Sequence, residues 1–401
     1  MLKQSCDSDK ILKQSCDSDK ILKQSCDSDK MLKQSLKNSS VQVFILLMFF
    51  FFLVLPLYNK FSNYFVSEPD KVWRRTMLQQ QDLYKYTTQQ SYRKPHIQDE
   101  SVDLRESTHL RIIVIVYNRA DSLLRLLGSL NVAFYFGERV VLDIWIDRSK
   151  DGQIDENTYI IASEFQFKHG VKIVHNHTFH VGIYGQWLNT WTPKSNSSEI
   201  AVILEDDLTV SPYFYKWLKI VHKKYDKLVE VNGYSLQGIS IKHGIGSEGL
   251  LEAPFGNLVF LYPVIGTWGF SPNRRNWVKF RDWFEVMLHD DKFQPLVPNI
   301  LPTSWYQTFI QTGKTEGMWS MWHIYHAWKS REFTLYPNFS GHLGLTVNWK
   351  ESGLHYGPGL ARGGRNPSHN LLTIWRPGYE DLPDYPVRLD VYGNIDTEDE
   401  P

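Results

Sequence analysis

From His109 onward, short apolar runs alternate with longer mixed segments. Leu110-Arg-Ile-Ile-Val-Ile-Val116 and Val140-Val-Leu-Asp-Ile-Trp-Ile146 are nearly unbroken apolar runs. Runs of that kind, rather than strict alternation, mark strands buried on both faces. Residues 171–174 predict a third strand. Ile200-Ala-Val-Ile-Leu204 predicts a fourth, which runs straight into Glu205, Asp206 and Asp207. Between these strands the pattern gives helices over residues 122–130, 156–168 and 186–192, with Asp121 placed to cap the first. Strands and helices in strict alternation build an α/β fold, a doubly wound, mostly parallel sheet with helices on both faces. Ser211 and Pro212 read as the N-cap and first position of an aromatic helix over residues 213–225. The second half is less regular. It holds a turn cluster, Gly266-Thr-Trp-Gly-Phe-Ser-Pro272, amphipathic helices over 274–288 and 316–328, a short strand over 334–337, and loops at 341–345 and 351–355.

The N-terminal part has a different texture. Residues 1–40 are a polar decapeptide written almost four times, too short in period to bury a face, and read as a disordered cytosolic tail. Residues 41–58 carry no charge and include Phe49-Phe-Phe-Phe52, a length just sufficient to cross a bilayer. Lys30, Lys33 and Lys37 precede them with no acid after Asp29, so the positive-inside rule puts the N-terminus in the cytosol and the rest in the lumen. The absence of a small-residue cleavage pattern favours an uncleaved anchor over a signal peptide. A span this short suits thinner early secretory membranes better than the plasma membrane. Residues 59–108 are polar and Gln-rich and read as a stem, residues 109–385 as the folded domain, and residues 386–401 as an acidic tail.

Composition narrows the chemistry. The chain has 401 residues and a formal net charge of zero, with no dominant basic block, which argues against nucleic acid as a partner. Its three cysteines, Cys6, Cys16 and Cys26, all lie in the repeats, so the folded part has no disulfide, thiolate metal site or cysteine nucleophile. Fourteen tryptophans supply either a large core or flat surfaces for sugars, and the core accounts for most of them.

The acid triplet is the strongest chemical signal. Three adjacent carboxylates repel one another, and a cation relieves that repulsion. Hard oxygen ligands suit Mn²⁺ or Mg²⁺, held by one or two carboxylates together with substrate phosphates. In open α/β sheets ligands bind beyond the carboxyl ends of the strands. Asn118, Asp147 and the triplet all fall at such ends.

At this point the chain resembles Golgi-type glycosyltransferases of the GT-A fold, which are type II membrane proteins. Four pieces carry the resemblance in order. Ile113-Val-Ile-Val-Tyr-Asn-Arg119 is similar to the first strand and nucleotide loop. Val202-Ile-Leu-Glu-Asp-Asp207 resembles the "DXD" metal motif in the Glu-Asp-Asp form of the N-acetylglucosaminyltransferase that begins complex N-glycans. Gly266-Thr-Trp-Gly-Phe270 with Trp277 resembles the "GTWGW" segment of bacterial sugar transferases. Met318-Trp-Ser, Leu335-Tyr-Pro, Gly344 and His355 resemble that group's C-terminal pattern. The resemblance implies a metal-dependent hexosyltransferase using Mn²⁺ or Mg²⁺ and a nucleotide-diphosphate sugar, with UDP-GlcNAc as the guess, acting on a glycan acceptor. It also implies roles. Tyr117, Asn118 and Arg119 would lie near the nucleotide with Gly182, and Asp147 would meet uracil or ribose. Glu205 and Asp206 would contact ribose and sugar, Asp207 would be the main metal ligand, and His355 a further one.

Each role has a plainer counterpart: Arg119 solvating a helix start, Asp147 ending a strand, His355 a loop histidine. An inverting transferase also needs a carboxylate base. Where the N-acetylglucosaminyltransferase has acids in a "WDDW" segment, this chain has Trp319-Ser-Met-Trp322. Glu316 and Asp291, of the Asp290-Asp291 pair, are the candidates, though Glu316 also fits a helix-start acid. That departure keeps a second reading open: an anchored, catalytically inactive protein that binds carbohydrate or nucleotide sugar. A nucleotidyltransferase fits less well, because Tyr117-Asn-Arg-Ala-Asp121 is not a glycine-rich phosphate loop. Asn176-His-Thr178, Asn196-Ser-Ser198 and Asn338-Phe-Ser340 are N-glycosylation sequons on the expected luminal side.

Overall fold

In a computed structural model, the chain is described over residues 108–194, 197–242, 251, 253–351 and 369–396, with Arg74, Leu78, Gln79 and Asp82. All of these belong to the unit Pro69–Pro401. The decapeptide repeats, the apolar stretch 41–58, most of the stem and His355 lie outside the described residues. Among the described residues no helix is long and apolar enough to cross a membrane.

The apolar runs are strands. β1 (Leu110–Val116) lies between β2 (Val140–Ile146) and β4 (Ile200–Glu205), parallel to both, and β3 (Gly170–Asn176) adds to the far side of β2. The chain therefore winds outward from β1 to β3, then returns to place β4 on the other side of β1. That reversal opens a crevice at the carboxyl ends of β1 and β4, the place where open α/β sheets bind ligands. Beyond β4 come β8 (Phe270–Pro272), β6 (Val231–Ser235), β9 (Phe333–Pro337), β7 (Val259–Tyr262) and β11 (Val387–Arg388), completing a nine-stranded sheet. Strands β3, β2, β1, β4, β6 and β9 run one way, and β8, β7 and β11 the other. The central sheet is thus mixed but largely parallel.

Successive residues of β1 serve opposite faces. Ile112, Val114 and Val116 pack with α1 (Ala120–Asn131), α2 (Glu156–Glu164) and α4 (Phe214–Tyr225). Ile113 and Ile115 pack with α3 (Gly182–Asn189), α5 (Arg274–Met287), α6 (Leu301–Thr312) and α7 (Ser320–Ser330). This is the period-2 geometry of a strand covered on both sides. Trp187, Trp217, Trp277 and Trp322 are fully buried, so these four rings are core rather than sugar platforms.

Several helix starts differ from the sequence expectation for a local reason. Helix α1 begins at Ala120, with Arg119 in the cap position and Asp121 inside the first turn. Helix α4 begins at Phe214, one residue later than expected; the Ser211 hydroxyl accepts from the Tyr213 N–H at 3.0 Å. The expected helix 316–328 resolves into a tight turn, Thr315–Gly317, followed by α7. Residues 387–396, read as tail, supply β11 and bury Leu389 completely. Arg74, in the expected stem, is buried against this domain and donates to the Asp290 and Phe293 carbonyls.

Candidate active site

The crevice between β1 and β4 gathers the charged groups. Register pairs Ile115 with Glu205, so the loop after β1 meets the acids after β4. Arg119 reaches across. Its Nε donates to Asp206 Oδ2 at 3.0 Å, its Nη2 to Asp206 Oδ1, and its Nη1 to Asp207 Oδ2 at 3.3 Å. This planar fork matches both oxygens of Asp206, a geometry lysine cannot offer. Glu205 turns the other way: the Trp187 indole N–H donates to its Oε1 at 3.0 Å, and Trp187 stacks on Trp319 at 4.4 Å.

Burial is the largest influence on Glu205 and Asp206 and pushes both carboxyls above the usual range. The Asp207 charge adds to the rise at Glu205, while Arg119 limits it at Asp206. Burial opposes the Arg119 charge too, but Asp206 and Asp207 outweigh it and hold the guanidinium firmly protonated. One cation thus faces three acids. Asp207 Oδ1 is buried and has no hydrogen-bond partner among the described residues.

Asp147 lies one strand over, at the end of β2, and is almost fully buried. Its Oδ1 accepts from the Arg148 N–H and the Val181 N–H, each at 2.8 Å, and its Oδ2 from the Gly182 N–H at 2.9 Å; His180 Nδ1, hydrogen-bonded to the Arg148 carbonyl at 2.6 Å, lies 3.1 Å from Oδ2 as an ion-pair partner. Burial pushes its carboxyl up, but His180 and these backbone donors win and hold it below the ordinary range. Asp147 therefore anchors the start of α3, where Gly182 takes φ 62°, a conformation favouring glycine.

A cleft of about 610 Å³ opens beside Arg119, edged by Asn118, Ser122, Asn157, Ile160 and Glu351. Glu351 is a carboxylate that sequence reading leaves in a loop. Short strands β5 (Leu208–Val210) and β10 (Thr346–Asn348) pair directly after the triplet, and the Trp349 N–H donates to the Asp207 carbonyl at 3.0 Å. That pairing carries Glu351 to α1, where Ser122 and Arg125 donate to it. Arg125 also lies over the Trp349 ring at 4.8 Å.

The expected site residues thus divide. Arg119, Glu205, Asp206 and Asp207 come together. Asn118 edges the same cleft, and Tyr117 is exposed in the loop before it. Asp147 and Gly182 form their own pair. Glu316 sits half-buried in the turn Thr315–Gly317, which packs on α3, where the Tyr184 hydroxyl donates to the Thr315 carbonyl at 3.1 Å. Asp291 is exposed in the turn after α5. No hydrogen bond or ion pair joins Glu316 or Asp291 to the triplet among the described residues.

No protein-family model matches the chain, and no curated protein matches it. Solved structures are similar to it at low identity. One is the mannosyltransferase PcManGT from Pyrobaculum calidifontis in complex with GDP-Man and Mn²⁺, 15% identical, covering 52% of this chain and 56% of that one with a TM-score of 0.30. Mouse xyloside xylosyltransferase 1, apo form, is 12% identical, covering 58% of this chain and 84% of that one with a TM-score of 0.32. S. aureus TarS 1–349 is 12% identical, covering 41% of this chain and 47% of that one with a TM-score of 0.28. The match spans about half the length of the PcManGT and TarS chains. What the site can do is therefore taken from its own geometry.

Among the described residues no three His, Cys, Asp or Glu side chains form a ready-made metal cage. The triplet fits a divalent ion in another way. Ions such as Mg²⁺ are commonly held by one or two carboxylates with phosphate oxygens completing the shell. Asp207 Oδ1, buried and unpartnered at a site of excess negative charge, is suited to that role. Both oxygens of Asp206 are already engaged by Arg119.

Proposed function

We propose that this chain is a metal-dependent glycosyltransferase that moves a hexosyl unit from a nucleotide-diphosphate sugar, UDP-GlcNAc in the first instance, to a glycan acceptor. The observation that carries the reading is the meeting of the Arg119 loop and the acid triplet at the crevice between β1 and β4, with Asp207 Oδ1 unpartnered. Asp207 would hold the Mn²⁺ or Mg²⁺, and the bound ion would neutralise the leaving diphosphate. The chain's own groups do the rest. Asn118, Arg119 and the first turn of α1 face the cleft, and a helix N-terminus favours phosphate. Tyr117 and the Asp147–Gly182 corner would border the nucleoside. Glu205, fixed by Trp187, offers its carboxylate to sugar hydroxyls.

For the base, Glu316 is favoured over Asp291. Its turn packs on α3, the helix that carries Trp187, and leads directly to Trp319, which stacks on Trp187. Residues 41–58 would anchor the chain as a single-pass type II protein of Golgi or ER membranes, with the domain luminal. His355 would be a further metal or diphosphate ligand.

The test is release of nucleoside diphosphate from a panel of nucleotide sugars by the full-length protein in detergent, with Mn²⁺ and with chelator. Release from one donor, abolished by chelator and by Asp207→Ala, supports the reading and names the sugar. Metal-dependent donor binding without turnover, in the presence of candidate acceptors, points to the inactive binding protein; the absence of an acid in Trp319-Ser-Met-Trp322 favours that alternative.

A further inference from the structure

We propose that Arg119 is a resident counter-ion of the acid triplet that a nucleoside diphosphate draws away, so that diphosphate and divalent-metal binding are coupled through this one side chain. The inference rests on the reading above, in which Asp207 takes the ion.

Asp206 and Asp207 are held in the interior, their side chains 3% and 9% exposed, whereas the Arg119 side chain is 26% exposed and borders the cleft. The arginine is the partner with room to move. Its backbone caps α1 with φ −126° and ψ 72°, and its carbonyl accepts from the Leu123 N–H at 3.0 Å, a bond that turning the side chain about its own torsions leaves in place. In its present position the guanidinium uses both oxygens of Asp206 and one of Asp207. A divalent ion arriving alone at Asp207 would share that carboxylate with a cation and meet its repulsion.

A diphosphate changes the balance. It carries more negative charge than a single carboxylate, and its oxygens accept a guanidinium fork equally well. The cleft beside Arg119 is lined by the first turn of α1, whose N–H groups favour phosphate, and by two carboxylates, Asp121 and Glu351, the latter held by Ser122 and Arg125. As Arg119 turns to the diphosphate, Asp207 regains its second oxygen for the ion, and the cation that would repel a metal there moves away. By thermodynamic reciprocity, each ligand then strengthens the other. The same side chain keeps three buried acids from standing uncompensated while no donor is bound.

The test is Mn²⁺ binding to the full-length protein in detergent, read from the electron paramagnetic resonance of free Mn²⁺ with and without UDP. UDP phosphates chelate Mn²⁺ themselves, so the decisive comparison is between variants. In the absence of UDP, Arg119→Gln is expected to bind Mn²⁺ about 10-fold more tightly than wild type, a typical coupling size, and to lose most of the gain on adding UDP. Arg119→Lys keeps the charge but not the fork and moves the same way by a smaller factor; it serves if the glutamine variant does not fold. Mn²⁺ affinity without UDP that is unchanged or weaker in both folded variants overturns the proposal while leaving the metal site standing. Mn²⁺ binding that is absent in wild type with or without UDP, and equal in Asp207→Asn, removes the metal reading itself and the proposal with it.

Discussion

The indole N–H of Trp187 donates to Glu205 at 3.0 Å, tying the first acid of the triplet to a helix on the opposite side of β4 from α4. Trp187→Phe keeps an aromatic ring against Trp319 but removes that donor and part of a fully buried ring. Leaving a buried carboxylate oxygen unpartnered costs about 1–3 kcal/mol, so chemical denaturation should show a loss of at least that size. Donor affinity should fall with it if Glu205 meets the sugar, whereas nucleoside diphosphate affinity should hold.

His323 is buried among Phe270, Trp277, Phe280 and Trp319. Burial, with a smaller push from His326, lowers its pKa to about 3. The unfolded chain takes up this proton first, below its ordinary value of 6.5. Stability is therefore full above that value and drains as pH falls toward the folded pKa, by up to about 1.4 kcal/mol per pH unit. Glu332, raised to about 7 by burial, acts in the opposite sense between its ordinary value of 4.5 and 7. That contribution is common to wild type and His323→Phe and cancels in the difference. Denaturation series from pH 7.5 to about pH 5 should show a flatter pH slope for His323→Phe.

Gly269 has φ 85°, and a Cβ there would lie 2.9 Å from Thr346 Cγ2 and 3.2 Å from Leu204 Cδ2. Gly269→Ala meets backbone strain and crowding together, at a cost of about 1–3 kcal/mol. The residue lies beside Leu204, just before the acids at the end of β4, so weaker Mn²⁺ and UDP binding should accompany the lower melting temperature.

Arg74 lies over the Trp322 ring at 5.3 Å and donates to two carbonyls near the end of α5. Arg74→Ala should destabilise the domain by about 2–4 kcal/mol, since two carbonyls lose a charged donor and an aromatic face is uncovered. A chain begun after residue 90 should show a similar loss, and one begun at residue 69 should not. Thermal unfolding of the two truncations decides it.

Asn176 is exposed at the end of β3, whereas the Asn338 side-chain amide donates to the Pro254 and Asn257 carbonyls at 3.3 and 2.7 Å. A glycan would attach at the very nitrogen Asn338 uses. In secretory expression, Asn176→Gln should therefore shift gel mobility and Asn338→Gln should not, with glycosidase treatment erasing the difference.

The parallel core was legible because β1, β2 and β4 are buried on both faces, which leaves nearly pure apolar runs ending in polar residues. Other parts depend on distant partners. The start of α3 was missed because its anchor, Asp147, lies 35 residues before Gly182. Strand β6 hides behind Asn232 and Gly233; glycine is required there because a Cβ would come within 2.3 Å of Phe270 Cζ. Glu351 is in a loop as expected, but its place beside α1 depends on β10 pairing with β5, and the carboxylate partners of Arg119 were hidden because they lie 87 and 88 residues away. The acids themselves were visible, since three in succession after an apolar run are a local signal.

The Arg119–Asp206 pairing also bears on how the chain reaches its fold. Strands β1, β2 and β3 can assemble as a unit while β4 is still unmade, but that unit ends in a guanidinium without its carboxylates. The triplet, in turn, closes β4 between β1 and β8 with acids whose charged forms burial opposes. A neighbour other than β1 would bury those charges without the arginine, at heavy cost. Charge complementarity would then favour β1 as the neighbour of β4 during assembly, so that the residues preparing the crevice for a ligand would also help order the sheet.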